Sequence, residues 1–201
     1  MARPLEELGH TVTGIDLSRA MLAQAQGRLA RLVEGDASRL PLRRASFDAV
    51  VAVWAVHLIG DLEALMSEVV RILRPGSRLL VVPSTPDIES NDLADIAFRF
   101  GKLLGRGWDR SWLLAPRLRA FGFELEGDVQ TAVYEFDETP NQRADSIERR
   151  DWSSLWDVDA LTWDRVVQPV VDDLRALPRP DAPRACRHHH FLSVYSLTGK
   201  Q

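Results

Sequence analysis

Asp16 closes the run HTVTGID (residues 10–16), in which apolar and β-branched residues read as a short buried strand. A carboxylate at the end of such a strand can accept hydrogen bonds from both ribose hydroxyls of an adenosine-type cofactor, one on each oxygen. It can equally cap a helix that starts near Ser18. Asp36 offers the same pair of readings, because it follows Gly35 at the end of a second short run, 32–34. There it is either a ligand acceptor or a turn residue. A ribose-binding acid usually lies about 20 residues after a glycine-rich turn. Here fifteen residues precede Asp16, and they contain no G-x-G pattern. The tract His188–His190 could suggest a metal. Adjacent strand residues point to opposite faces, however, and the spacing and companion cysteines of a zinc site are missing. The tract reads as the entry to a strand, and no metal site is expected.

Several elements must position these acids. Arg3–Leu8 reads as a helix end followed by Gly9 in a left-handed C′ position. Thr11–Ile15 is a strand, and Ser18 caps a helix through Met21 to Arg28. The segment 47–59, FDAVVAVWAVHLI, carries the strongest strand signal. Its Ala49–Val53 core is apolar at every position, as expected of a strand covered on both faces. Asp61 then caps a helix whose Leu62, Leu65, Val69, Ile72 and Leu73 form one stripe. Pro75-Gly76 breaks that helix ahead of the apolar strand Leu79–Val82. Strand and helix alternate, which predicts a parallel α/β sheet over residues 1–83. Beyond Pro83 the pattern predicts helices at Asp92–Leu104 and Trp112–Phe121. A long strand at Phe123–Phe136 follows, bulged near Gly127. A helix is expected around Leu161–Leu177, and a last strand at Phe191–Leu197.

The chain has 201 residues, 45% of them hydrophobic, and a net charge of −4. Those values suit one globular domain, and the absence of a basic block argues against nucleic acid as the main partner. Cys186 is the single cysteine. No internal disulfide can form, and a reducing, cytoplasmic compartment is the expectation. No apolar run approaches the ~20 residues of a membrane span.

The first half resembles the class I S-adenosylmethionine-dependent methyltransferases, in the broad small-molecule group called methyltransferase type 11. GIDLSRAML matches the end of that family's second strand and the helix after it. EGDASRLPLRRASFDAVVAVWAVHLI matches its third and fourth strands, and LMSEVVRILRPGSRLLVV its Pro-Gly turn and fifth strand. Phe123–Phe136 and Phe191–Leu197 correspond to its closing antiparallel pair. The resemblance implies an α/β fold with a Rossmann-like parallel sheet and a C-terminal antiparallel strand pair. It implies one domain, 1–201, with a cofactor half (1–83) and a substrate half (84–201) that carries a helical insertion at about 139–185. It implies S-adenosylmethionine as cofactor and a small-molecule methyl acceptor as partner. In that family's pattern Asp16 accepts from the ribose hydroxyls, and Leu17 and Met21 pack on the adenine. Asp36 accepts from the adenine amino group, Ala37 offers its backbone N–H to a ring nitrogen, and Ala52 contributes a backbone contact to the methionine part.

The family also carries a first strand and a loop of the form D-x-G-x-G-x-G just before the helix that here begins at Met1. Neither is in this sequence. That strand belongs between Thr11–Ile15 and Ala49–Val53, so its loss leaves two strands short of a neighbour. The reading that follows is a chain shortened at its N-terminus. A sheet closed differently, or completed by a partner's strand, are the alternatives.

Methyl transfer needs alignment, and a base only when the acceptor must lose a proton. His57, just past the fourth strand, is the candidate base; its other reading is a packed residue at a helix start. Trp152, Trp156 and Trp163 concentrate in the insertion and are expected to cover the acceptor, or else to form core. Two other functions fit parts of the pattern. One is a non-catalytic methyltransferase-like binding or scaffold protein. The other is an NAD-linked oxidoreductase, since Asp16 also suits an NAD ribose.

Overall fold

A computed structural model describes residues 3–84, 87–103 and 109–198. Its first unit is small. Helix α1 (Arg3–Glu7) leads to β1 (Thr13–Asp16), α2 (Arg19–Ala25) and β2 (Arg31–Glu34), and β1 and β2 pair in parallel. None of the residues in these four elements is fully buried. Ser18 caps α2 as expected, its hydroxyl accepting from the Met21 N–H at 3.4 Å. The strand expected over 11–15 begins two residues later and runs to Asp16.

The larger sheet starts at β3 (Phe47–Val53). A 3-10 turn (Val56–Leu58) and helix α3 (Leu62–Ile72) connect it to β4 (Leu73–Val82), which pairs with it in parallel. Asp61 caps α3 by accepting from the Ala64 N–H at 2.9 Å. The apolar stripe of α3 (Leu62, Leu65, Met66, Val69, Ile72) is buried. Two residues of α3 also hold the preceding loop. Arg71 donates to the carbonyls of Leu42 and Leu40 at 2.8 and 2.9 Å, and Glu68 accepts from the Leu40 N–H at 2.7 Å. That clamp ties the segment after β2 to the main core.

Strand β4 then pairs antiparallel with the last strand, β7 (Arg184–Leu197). Because β6 (Phe123–Glu138) meets the same β7 residues, it must lie along the opposite edge, and it does so antiparallel over 14 register pairs. A two-residue strand, β5 (Asp87–Ile88), pairs further up β7. The closing antiparallel pair and the bulge beside Gly127 are both present. Helix α4 (Asp92–Leu103) and helix α5 (Ser111–Leu118) with its 3-10 extension to Phe121 occupy the expected positions, and Gly122 ends the latter at φ 83°. The insertion builds α6 (Pro140–Glu148), α7 (Ala160–Thr162) and α8 (Gln168–Arg175), the last two joined by a π turn.

Two cores result. One gathers α3, β4, α5 and the end of β7 around Leu79, Leu118, Phe123 and Tyr195. The other gathers α4, α6, α8 and the start of β7 around Leu93, Ile147, Leu155, Leu174 and Cys186. The long pair β6–β7 runs through both.

Three expectations need correction. Strand β3 is not covered on both faces: Val51 is 49% exposed and Ala49 beside it is exposed. Only β4 pairs with β3 among the described residues, and α3 packs on one side only, so apolarity alone overstated its burial. The histidine tract is not a strand entry; β7 begins at Arg184, and His188–His190 lie inside it. The pairing also falls into two sheets, β1–β2 and the rest, with no ladder joining β1 to β3 among the described residues. That break coincides with the place where a neighbouring strand was expected. Among the described residues no helix is long and apolar enough to cross a membrane.

Candidate active site

Within each parallel pair, β1–β2 and β3–β4, the strands end together, and the residues that follow them fall at carboxyl ends, where open α/β sheets bind ligands. Asp16 ends β1. Its Oδ1 accepts from the Ser18 N–H at 2.8 Å, which is the local turn role; its Oδ2 has no hydrogen-bond partner among the described residues. Asp36 follows β2, is exposed, and accepts from the Ser38 N–H at 2.8 Å on Oδ1. Hydrogen bonds from Ser38 hold its carboxyl below the usual range, so it is a carboxylate at neutral pH. Both acids therefore carry out the turn function; Asp36 is exposed and Asp16 half-buried. Leu17 is 70% exposed and Met21 52% exposed beside Asp16. Two bare apolar side chains next to an acid suit the face of a heterocyclic base. Ala37 packs its methyl on the first core, and its N–H makes no hydrogen bond among the described residues.

These residues fit the adenosine end of S-adenosylmethionine. The methionine end is not built by the described residues. Gly35, next to Asp36, is filled by protein: a Cβ there would stand 2.8 Å from Pro41 Cδ. Gly35 is needed for that packing rather than for a ligand. Ala52 lies within β3 rather than after it, and packs against the first core. Its side chain is therefore structural, and only its backbone is left for a ligand role.

His57 sits on the 3-10 turn after β3, between Trp54 and α3. Trp54 adopts φ 49°, a left-handed conformation that bulky side chains rarely take and that tends to cluster at functional sites. Its N–H donates to the Val82 carbonyl at 3.0 Å, and its indole leans on His190 at 5.7 Å between ring centroids. Around His57 three residues converge that sequence reasoning missed. Nδ1 lies 3.6 Å from Asp109 Oδ2, an ion-pair distance beyond a hydrogen bond, and Nε2 lies 3.4 Å from Ser153 Oγ. Asp109 precedes α5 and is 1% exposed. Ser84, just after β4, donates to it from its backbone N–H at 2.8 Å and from its hydroxyl at 3.1 Å. Burial pushes the Asp109 carboxyl up, but the adjacent His57 and the two Ser84 hydrogen bonds outweigh it and hold it below the usual range. Asp109 is thus a buried carboxylate.

The three tryptophans divide. Trp152 packs in the second core against Phe100 and Arg143, and Trp163 lies there under Arg150. Trp156 is 61% exposed. Ser153, not a tryptophan, is the insertion residue that reaches His57. Among the described residues no group of three or more His, Cys, Asp or Glu is arranged to hold a metal ion.

Residues 1–81 match the family model described as a methyltransferase domain. A phthiotriol/phenolphthiotriol dimycocerosates methyltransferase of Mycobacterium ulcerans is 42% identical over 87 residues, 41% of this chain and 31% of its own length. A demethylmenaquinone methyltransferase of Beutenbergia cavernae is 40% identical over 85 residues, 41% of this chain and 35% of its own. The chain thus spans about a third of the length of these curated relatives. Over nearly the whole chain the fold is shared with the YcgJ protein of Bacillus subtilis: TM-score 0.51, 17% identity, 94% of this chain and 82% of that one. The [4+2]-cyclase SpnF also shares it, at TM-score 0.50 and 19% identity over 94% of this chain and 68% of that one. The methyltransferase family uses S-adenosylmethionine as methyl donor, whereas a fold that also houses a cyclase does not by itself fix the reaction.

Proposed function

We propose that the chain serves S-adenosylmethionine-dependent methylation of a small molecule, with Asp16, Leu17, Met21, Asp36 and Ala37 holding the adenosine end of the donor. The observation behind this reading is the outward-facing pair Asp16 and Asp36 at the ends of adjacent parallel strands, beside the bare Leu17 and Met21. Asp16 accepts from the ribose, Asp36 from the exocyclic amine, and the Ala37 N–H donates to the ring. The donor, when bound, supplies an electrophilic methyl group. The chain's own contribution at the acceptor end is His57, whose Nε2 takes a proton where the acceptor must lose one. The relatives reported above are named for phthiotriol/phenolphthiotriol dimycocerosates and for demethylmenaquinone, which supports a small-molecule acceptor.

S-adenosylhomocysteine titrated against 15N-labelled protein tests the reading. With the methionine end unbuilt by the described residues, binding should be weak. A dissociation constant of about 1 mM corresponds to about −4 kcal/mol, within reach of three hydrogen bonds and a partly covered adenine. The amides of Leu17, Asp36 and Ala37 should shift, and Asp16→Ala should weaken binding about tenfold. Shifts elsewhere, or none at several millimolar, would overturn the assignment and favour a non-catalytic scaffold.

A further inference from the structure

We infer that Asp109, His57 and Ser153 form a proton-accepting site for a hydroxyl-bearing acceptor, in which Asp109 sets the tautomer of His57 and Ser153 Oγ stands where the acceptor's hydroxyl binds. The inference rests on the methyl-transfer reading only for the use made of the site.

The two ring nitrogens of His57 face opposite chemistry. On one side is a carboxylate that is nine-tenths or more buried, with its oxygens directed by Ser84. A buried carboxylate accepts and cannot donate, so of the two neutral tautomers of the ring it favours the one that carries its proton on Nδ1. Nδ1 is itself buried and without a hydrogen bond, and Asp109 Oδ2 at 3.6 Å is the acceptor facing it. Such contacts are often long in the unliganded state and tighten when substrate binds. With the proton on Nδ1, Nε2 presents a lone pair. A hydroxyl already occupies the place in front of it, that of Ser153 at 3.4 Å.

An acceptor hydroxyl that displaces Ser153 inherits this position. Its O–H bond breaks, the proton moves to Nε2, and the electron pair stays on oxygen, which becomes the nucleophile. The imidazolium formed is balanced by the Asp109 carboxylate. The surroundings suit an apolar body on that hydroxyl: Trp54 and Leu58, flanking His57 in the chain, are 49% and 55% exposed. Among the described residues Asp109 accepts from Ser84 and faces Nδ1 of His57, and it is a positioning residue. It is the arrangement by which an acid behind a histidine steers the opposite nitrogen.

Imidazole 15N resonances of the full chain test this directly. In its neutral form, the His57 ring should show a protonated Nδ1 and a pyridine-type Nε2. Asp109→Asn, which can donate where the carboxylate cannot, should turn the neutral ring toward the Nε2–H tautomer. A structural role alone predicts no such reversal. The measurement on the unaltered chain stands even if the variant fails to fold: a neutral ring that carries its proton on Nε2 in the unaltered protein overturns the proposal. Titration with 2-naphthol, an apolar ring carrying one hydroxyl, should move the Nε2 resonance, whereas naphthalene should not. Ser153→Ala should tighten the 2-naphthol response severalfold by vacating the position. Equal responses to both probes, or to neither, would remove the hydroxyl assignment. A chain that passes these tests and fails to bind S-adenosylhomocysteine keeps the proton site and loses the methyl-transfer reading.

Discussion

At the scale of single residues, the candidate site separates into what neighbouring positions dictate and what folding brings together. Asp16, Asp36 and His57 are each legible because each follows a strand, and strand ends are set by local alternation. Asp109, Ser84 and Ser153 are not legible. Ser84 and Asp109 stand 25 positions apart, and His57 and Ser153 stand 96 apart. No local pattern announces either pairing. The burial of Asp109 has a consequence for stability. Its folded-state carboxyl is held below the ordinary value of about 3.9. The stabilisation from this group is complete above that ordinary value, where the unfolded chain is also ionised. It is lost as pH falls through the lower, folded value. The stability gap between the native chain and Asp109→Asn should therefore narrow as pH falls below about pH 4. Urea unfolding at each pH measures it. A gap independent of pH down to 2.5 would mean that the carboxylate is not preferentially ionised in the fold.

Among the secondary-structure elements, those read correctly from sequence have strong local signals. The α3 stripe with its Asp61 cap is one, and the long bulged β6 is another. Helix α6 was missed although its start is marked: Thr139 and Gln142 form a reciprocal capping box, at 3.0 Å and 2.8 Å, with Pro140 at the first position. Its burial of Pro140, Ala144 and Ile147 depends on α8 and α4, which no short window reveals. The burial of β3 was overstated because an apolar run reports what a strand can bury, not what covers it. Element stability should follow coverage. Leu79 and Val81 of β4 are 1% and 0% exposed between two paired strands, whereas β1 and β2 contain no buried residue. Amides of Thr13–Asp16 should exchange by local opening at least about 100-fold faster than those of Leu79–Val81, a difference of roughly 2.7 kcal/mol. Hydrogen exchange read by NMR measures the ratio. Equal protection would show that the small sheet opens only with the whole fold.

In the whole molecule, His57 stands where the two cores meet. Val56, the residue before it, is 1% exposed in the first core; Leu155, two residues after Ser153, is 0% exposed in the second. Strands β6 and β7 carry both cores on one continuous ladder, which ties their unfolding together. The site should then respond to packing on the insertion side. Leu155→Ala removes a fully buried side chain and should cost about 2–5 kcal/mol. Because Leu155 lies on the same 3-10 turn as Ser153 (Ser153–Leu155), the relaxation around the cavity should also shift the turn and lengthen the contact to Nε2. Leu174→Ala makes a comparable cavity in the same core, at 1% exposure, but on α8. It should cost a similar amount of stability and leave the His57 ring nitrogens unchanged. Denaturant unfolding gives the two stabilities, and imidazole 15N shifts give the site's response. Similar losses with a shift only in Leu155→Ala would show that the insertion positions Ser153 through one buried side chain. Shifts of equal size in both variants would show instead that the second core moves as a single body against His57.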